Sequence, residues 1–260
     1  MKLDYSISDV APYINWIYFF HAWGISGMPQ QDKQRMQAEA EERLQRYADR
    51  YQTHAVFLIL DAYSEDDDIV FPELRLPLLR QQQSDSEFRC LADFVHPEKD
   101  KVGVFATSVD HGLETDFDRD PYEKMMMQLL ADRLAEATAE RMHEEVRKTY
   151  WGYAADEQLD IPDMLSERWQ GIRPAVGYPS LPDTSLNFVL DRLLGFQQIG
   201  IRLTESGAMK PHASVSGLML AHPEARYFAV GKIGPDQLAD YARRRGVPLE
   251  LMRKFLAGNL

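Results

Sequence analysis

The sequence predicts an α+β domain, and three observations carry that prediction. Apolar, β-branched runs at 53–60 ("THAVFLIL") and 101–109 ("KVGVFATSV") have the length and composition of core strands. Residues 121–150 open on Pro121 and meet no further Pro or Gly before Gly152, which gives a helix of roughly 45 Å at 1.5 Å per residue. The 260 residues are 45% hydrophobic, with no internal repeat and no low-complexity linker, so one domain over 1–260 with one sizeable core is expected.

Taken in order, residues 9–23 ("DVAPYINWIYFFHAW") are aromatic without a clean period and read as a buried segment, followed by a loop at "GISGMPQ". Residues 30–51 form a charged amphipathic helix. After the 53–60 strand, "DAYSEDDD" reads as a turn whose acidic run is solvated, and "DIVFPELRLPLLR" as a second strand region. The connection is too short for a crossover helix, so a hairpin or meander joins them. The 121–150 helix has apolar positions on two sides, Met126, Leu130, Leu134 and Ala137 against Ala135, Ala139, Met142 and Val146, which puts it at the centre of the fold. A helix at 184–195, strands at 200–209, 214–220 and 225–233, and two closing helices in "GPDQLADYARRRG" and "PLELMRKFLA" complete the chain.

Charge excludes some functions. There are 29 basic and 41 acidic residues, a net −12, and an acidic protein repels a phosphate backbone, so nucleic acid is not an expected partner. The single cysteine, Cys90, allows no internal disulfide and reads as a buried thiol in a reducing cytoplasm. Apolar runs are far too short to span a membrane, and no signal-peptide pattern opens the chain. Residues 226–260 hold seven basic and three acidic residues, a local +4. They read either as a solvated helix end favoured by the helix dipole or as a docking surface on which Arg243, Arg244 and Arg245 steer an acidic partner. The fingerprints of dinucleotide-binding, P-loop and serine-hydrolase sites are missing, and the seven histidines form no close helical pair for a catalytic metal.

Two features point towards a ligand. Arg133, Glu136, Glu140, His143 and Arg147 lie at spacings of 3, 4, 3 and 4, on one helix face. They make either a solvent-facing ladder of ion pairs or one wall of a cleft. The second feature is "QGIRPAVGYPSLPD" (170–183), an ordered, turn-rich loop around Arg173 and Tyr178. It is either a structural connection or an anion-binding loop in which Arg173 offers a planar fork to a carboxylate.

The strings "ADRLAEATAERMHEEVRKTYWGYA", "ERWQGIRPAVGYPSLPD", "LTESGAMKPHASVSG" and "HPEARYFAVGKI", with "YINWIYFF", "CLADFVHP" and "QLADYARRRG", occur in an order that closely resembles the activation domain of cobalamin-dependent methionine synthase. The resemblance runs from about residue 9 to 255, and the R-P-A-x-G-Y-P string is its most specific part. It implies a single C-shaped α+β domain around a twisted antiparallel sheet with long helices. It also implies binding of S-adenosylmethionine, whose methyl group is presented to cob(II)alamin held mainly by a cobalamin-binding methionine synthase chain, with an electron from a flavodoxin-type donor. The product is methylcobalamin, so the chain is a methyltransferase component that does not make methionine alone. Carried over residue by residue, the resemblance places Arg173, Ala175, Gly177 and Tyr178 in the S-adenosylmethionine site, with Arg173 on the methionine carboxylate. Tyr227 and Phe228 match the later site segment, Arg133 and Glu136 the charged helix residues of the cleft, and Glu167 an acid before the loop. No side chain is implied as a base or nucleophile; the chemistry is positioning.

Two positions depart from the family pattern. Asn15 stands where the family has a ligand-contacting aspartate, a lost charge worth on the order of 1–2 kcal/mol towards a cationic ligand. His212 replaces a glycine near the expected corrin face. The opening "MKLDYS" favours a complete small gene, a standalone activation subunit. Two other readings stay open: a reactivator of a different corrinoid methyltransferase, and a docking module with weakened S-adenosylmethionine binding.

Overall fold

The computed structural model describes residues 1–83 and 87–260. Its strands are β1 (Lys2–Ser6), β2 (Gln52–Glu65), β3 (Asp68–Val70), β4 (Arg75–Pro77), β5 (Asp100–Val109), β6 (Arg202–Leu203), β7 (Met209–Lys210) and β8 (Ser214–Met219). Its helices are α1 (Ile7–Val10), α2 (Trp16–Ala22), α3 (Gln30–Tyr47), α4 (Gly112–Thr115), α5 (Pro121–Glu145), α6 (Ile161–Leu165), α7 (Leu186–Leu194), α8 (Pro235–Arg245) and α9 (Leu249–Phe255). The main sheet is antiparallel throughout, in the order β4-β3-β2-β5-β8, with β1 also paired to β2. This is the α+β class that the sequence predicts.

β5 explains why the sheet is central. Its side chains alternate between two apolar clusters: Phe105 and Val109 pack with α1, α3 and α5, while Val102, Val104 and Ala106 pack with α7. Both faces are covered, so the strand reads as a continuous apolar run and not as an alternation. Even its hydroxyls are satisfied internally, Thr107 Oγ1 donating to the Ala135 carbonyl at 3.0 Å and Ser108 Oγ to that of Ile199 at 2.5 Å. α5 lies across one face with Met126, Leu130, Leu134, Ala135, Ala137, Ala139 and Met142 buried. A third cluster joins α8 and α9 through Leu238, Tyr241, Ala242 and Met252.

Several expectations change. The 9–23 segment is not a uniformly buried stretch but two short helices and a turn, with Val10, Ile14 and Phe19 inward while Ile17 and Tyr18 are 73% and 60% exposed. β2 continues through the stretch read as an acidic turn. Residues Tyr63–Glu65 pair with β3, leaving only Asp66 and Asp67 to turn, with Asp66 at φ 53, a left-handed conformation that Asp tolerates. Nor is that acidic run solvated throughout: Asp68 is buried and receives Arg75 at 3.0 Å, and also Arg244. The long helix is α-helical to Glu145 and ends in a π-helical turn, Val146–Tyr150. The strand expected at 225–233 does not form. The edge of β8 it would need is already occupied by the 172–176 loop, which exchanges backbone hydrogen bonds with Ser216, Leu218 and Leu220 at 2.8–3.0 Å.

That docking depends on two glycines. A Cβ on Gly217 would sit 2.2 Å from the Pro174 carbonyl oxygen, and one on Gly171, at φ 86, would sit 2.2 Å from that of Leu220. Backbone reaches backbone here because no side chain intervenes. Gly217→Ala is expected to destabilise the domain by about 1–3 kcal/mol, the cost of overpacking a filled contact, read as a lower urea midpoint at unchanged slope.

Candidate functional site

The polar row of α5 is not a solvent ladder. Arg133, Glu136 and Glu140 are half-buried and His143 and Arg147 fully buried, so burial deepens towards the helix C-terminus. The 151–170 segment provides the cover. Glu157 takes the Arg147 guanidinium in two directions, Oε2 from Nε at 2.9 Å and Oε1 from Nη2 at 2.6 Å, and the Arg147 guanidinium carbon sits 5.1 Å from the Trp169 ring centre. Trp169 also meets His143 edge to face at 4.6 Å.

The chemistry of this network fixes a tautomer. Arg147 Nη1 donates to His143 Nδ1 at 3.0 Å, and an arginine has no acceptor to offer, so Nδ1 is unprotonated. Burial, then the charges of Arg173 and Arg147, hold the imidazole pKa well below its usual value. The neutral ring therefore carries its proton on Nε2, facing the Tyr153 hydroxyl at 3.3 Å, and that hydroxyl donates to the Gln170 carbonyl at 3.3 Å. Row and loop are thus joined by a chain of oriented dipoles.

Arg173 is buried, and its guanidinium points at α5. Nη2 donates to Glu140 Oε1 at 2.5 Å, while Nη1 donates to Glu140 Oε2 and to the Ala139 carbonyl, both at 3.2 Å. Its backbone N–H donates to the Tyr227 hydroxyl at 2.9 Å. Burial raises the Tyr227 phenol to about 12, partly offset by Arg173, so the hydroxyl stays protonated. Further along the loop, Gly177 at φ 88 closes a turn in which the Tyr178 N–H donates to the Ala175 carbonyl at 3.2 Å. The Tyr178 hydroxyl then reaches back across the cleft and donates to Glu136 Oε1 at 2.5 Å. The 228 segment is tied to the same loop: the Phe228 N–H donates to Ser180 Oγ at 3.1 Å and the Val230 N–H to the Pro179 carbonyl at 2.9 Å.

Arg133, Glu136, Glu167, Arg173, Ala175, Gly177, Tyr178, Tyr227 and Phe228 therefore gather around the loop and one face of α5. Glu167 stands at φ 57, an unusual backbone for a residue with a side chain, and partial burial together with the Glu140 charge raises its carboxyl pKa, offset by Arg173. Arg133 Nε is enclosed without a hydrogen-bond partner among the described residues. Asn15 stands at the periphery, as the N-cap of α2, with its Oδ1 accepting the Ile17 N–H at 3.2 Å; one turn on, Tyr18 lies close enough to Tyr178 to influence its phenol. His212 is 89% exposed at its side chain and meets Asp132 at 3.2 Å. Sequence reasoning did not select Tyr153, Glu157 or Trp169. Only Trp169 carried a signal, as an aromatic two residues before the glycine that opens the loop.

Of the three arginines read as steering an acidic partner, Arg244 and Arg245 are tied into the fold, while Arg226, Lys232, Arg253 and Lys254 of the same basic stretch stay exposed. Arg245 is buried against Asp183 at 3.1 Å, and Arg244 is held by Asp240 at 2.7 Å and by Asp68. Arg243 alone of the three is well exposed, at 74%, and it too meets Asp240 at 2.6 Å. Cys90 is a free, buried thiol whose burial pushes its pKa up to about 12, the inert state expected of it.

Among the described residues no helix is long and apolar enough to cross a membrane. Comparison with known proteins shows what the chain is similar to. Residues 6–246 fit the sequence profile of a family described as "Vitamin B12 dependent methionine synthase, activation domain". A solved structure described as the MetH reactivation domain bound to AdoHcy superposes with a TM-score of 0.93 at 37% identity, covering 100% of this chain and 90% of that one. The antiparallel sheet, the long central helix and the loop docked on β8 therefore follow an established arrangement, and the chain belongs to the activation-domain family of vitamin B12-dependent methionine synthases.

Proposed function

We propose that this chain binds S-adenosylmethionine in the cleft between α5 and the 171–178 loop and presents its methyl group to cobalamin held by a methionine synthase chain or domain. The observation that carries this reading is the charge set of the cleft. Glu136, Glu140 and Glu167 face Arg133 and Arg173, a net negative site that suits a sulfonium cation carrying an ammonium and a carboxylate. The 37%-identical relative described as bound to AdoHcy, the demethylated form of the same ligand, supports the assignment. Arg173 takes the carboxylate, the Ala175–Gly177 backbone and the Tyr227–Phe228 segment take the nucleoside and amino-acid portions, and Tyr178 is held in place by Glu136. Cobalamin supplies the cobalt that accepts the methyl group. The sulfur keeps the bonding electron pair, leaving S-adenosylhomocysteine, and a flavodoxin-type donor supplies the one electron that cob(II)alamin lacks. No residue of this chain moves a proton in that exchange; its contribution is orientation.

The test is reconstitution. The chain, a cobalamin-loaded methionine synthase lacking its own activation domain, a one-electron reductant and methyl-labelled S-adenosylmethionine are mixed, and label in methylcobalamin is measured. Label that depends on this chain is expected. Binding of S-adenosylmethionine without transfer to that partner would favour a different corrinoid methyltransferase as the one served.

Asn15 gives a second test. Aspartate caps a helix as well as asparagine, so Asn15→Asp costs the fold nothing while restoring a negative charge. It is expected to tighten S-adenosylmethionine binding by about 1–2 kcal/mol in a calorimetric titration. Unchanged or weaker binding would mean that the site is built around the neutral amide.

A further inference from the structure

Resting on the S-adenosyl ligand reading above, we propose that Arg173 is a two-sided clamp: Glu140 is a positioning residue that permanently fills one edge of the guanidinium, and the ligand carboxylate takes the other. An arginine has five N–H donors, one on Nε and two on each Nη. Three are committed, two from Nη1 to Ala139 and Glu140 and one from Nη2 to Glu140. The two left without a protein acceptor among the described residues, on Nε and Nη2, lie side by side along one edge of the plane. That is the spacing of a carboxylate's two oxygens.

The alternative is that the ligand displaces Glu140. Displacement would break two charge-assisted hydrogen bonds and leave a carboxylate, 18% exposed, without its counter-ion and near the Glu167 carboxylate. The guanidinium is not free to swing. Its side chain is 8% exposed, with the Ala139 carbonyl on one side and the Trp169 ring centre 5.9 Å from the guanidinium carbon on another. The pinned backbone on β8 fixes the other end of the side chain. A clamp with one side pre-filled meets the ligand carboxylate without reorganisation.

The test uses two probes that differ in the group concerned. S-adenosylhomocysteine carries the carboxylate, whereas 5′-methylthioadenosine keeps the nucleoside and thioether and lacks the amino-acid portion. In Glu140→Gln the amide N–H₂ faces an arginine N–H, donor against donor, so the guanidinium loses its setting. The variant is expected to bind S-adenosylhomocysteine at least about tenfold more weakly while holding 5′-methylthioadenosine within about twofold. Retained nucleoside binding also reports that the variant is folded. Tighter binding of S-adenosylhomocysteine would overturn the proposal, because it would make Glu140 a competitor for the same edge. Equal losses for both probes would reduce Glu140 to a structural counter-ion. Should the variant fail to fold, a crystal structure of the parent with S-adenosylhomocysteine decides: Glu140 still on Nη1 and Nη2 supports the clamp, and Glu140 swung away overturns it alone. A parent that binds neither probe would overturn the S-adenosyl reading as well.

Discussion

Replacing Arg147 by methionine is expected to destabilise the domain by about 3–5 kcal/mol, measured as a lower urea midpoint. Arg147 is among the largest fully buried side chains, and its partner Glu157 is 8% exposed. Removing the arginine leaves a carboxylate inside the protein with no cation, which is the costly way to break a buried ion pair. It also removes the donor to His143 Nδ1 and the cation over Trp169. The double variant Arg147→Met, Glu157→Leu is expected to recover most of the loss, because neither charge then has to be desolvated. A single variant as stable as the parent would show that Glu157 reaches water when unpaired. Trp169 and the segment up to the loop lean on this pair, so the single variant should also loosen the cleft.

Arg173→Ala is expected to weaken S-adenosylmethionine binding by about 2–4 kcal/mol, the range for truncating one member of a desolvated, hydrogen-bonded charge pair. Part of that loss comes from Glu140, whose carboxylate would remain at the site and repel the ligand's own. Adding Glu140→Ala to Arg173→Ala separates the two effects. If Arg173 acts by contacting the carboxylate, the double variant stays weak; if the loss is only repulsion from an orphaned Glu140, the double variant returns towards the parent.

How much of this was legible in the sequence depends on the range of the interactions involved. The central helix, the strands at 53–60 and 101–109 and the closing helices follow from local period and composition, and each is present. The spacing of Arg133 to Arg147 put five polar residues on one face, which is also correct. Whether that face met water was not legible, because its cover, Glu157 and Trp169, carries no periodic signal. The same holds for the tail. Arg244 and Arg245 read as a basic cluster since their partners, Asp68 and Asp183, lie 176 and 62 residues away. The missing strand at 225–233 has a related cause: its alternation was real, but strand formation needs a free sheet edge, and the proline-rich loop had taken the one on β8. The site itself was readable only where family-specific strings named it. Glu140 belonged to no such string as a ligand residue, and its role emerges from counting the donors of Arg173.

The most direct test of the account is calorimetric titration of S-adenosylmethionine into the parent chain, repeated with Arg173→Ala. One molecule bound per chain, with binding lost or weakened by about 2–4 kcal/mol in the variant, is the predicted result. No binding to the parent at millimolar ligand, or equal affinity in the two proteins, would contradict it.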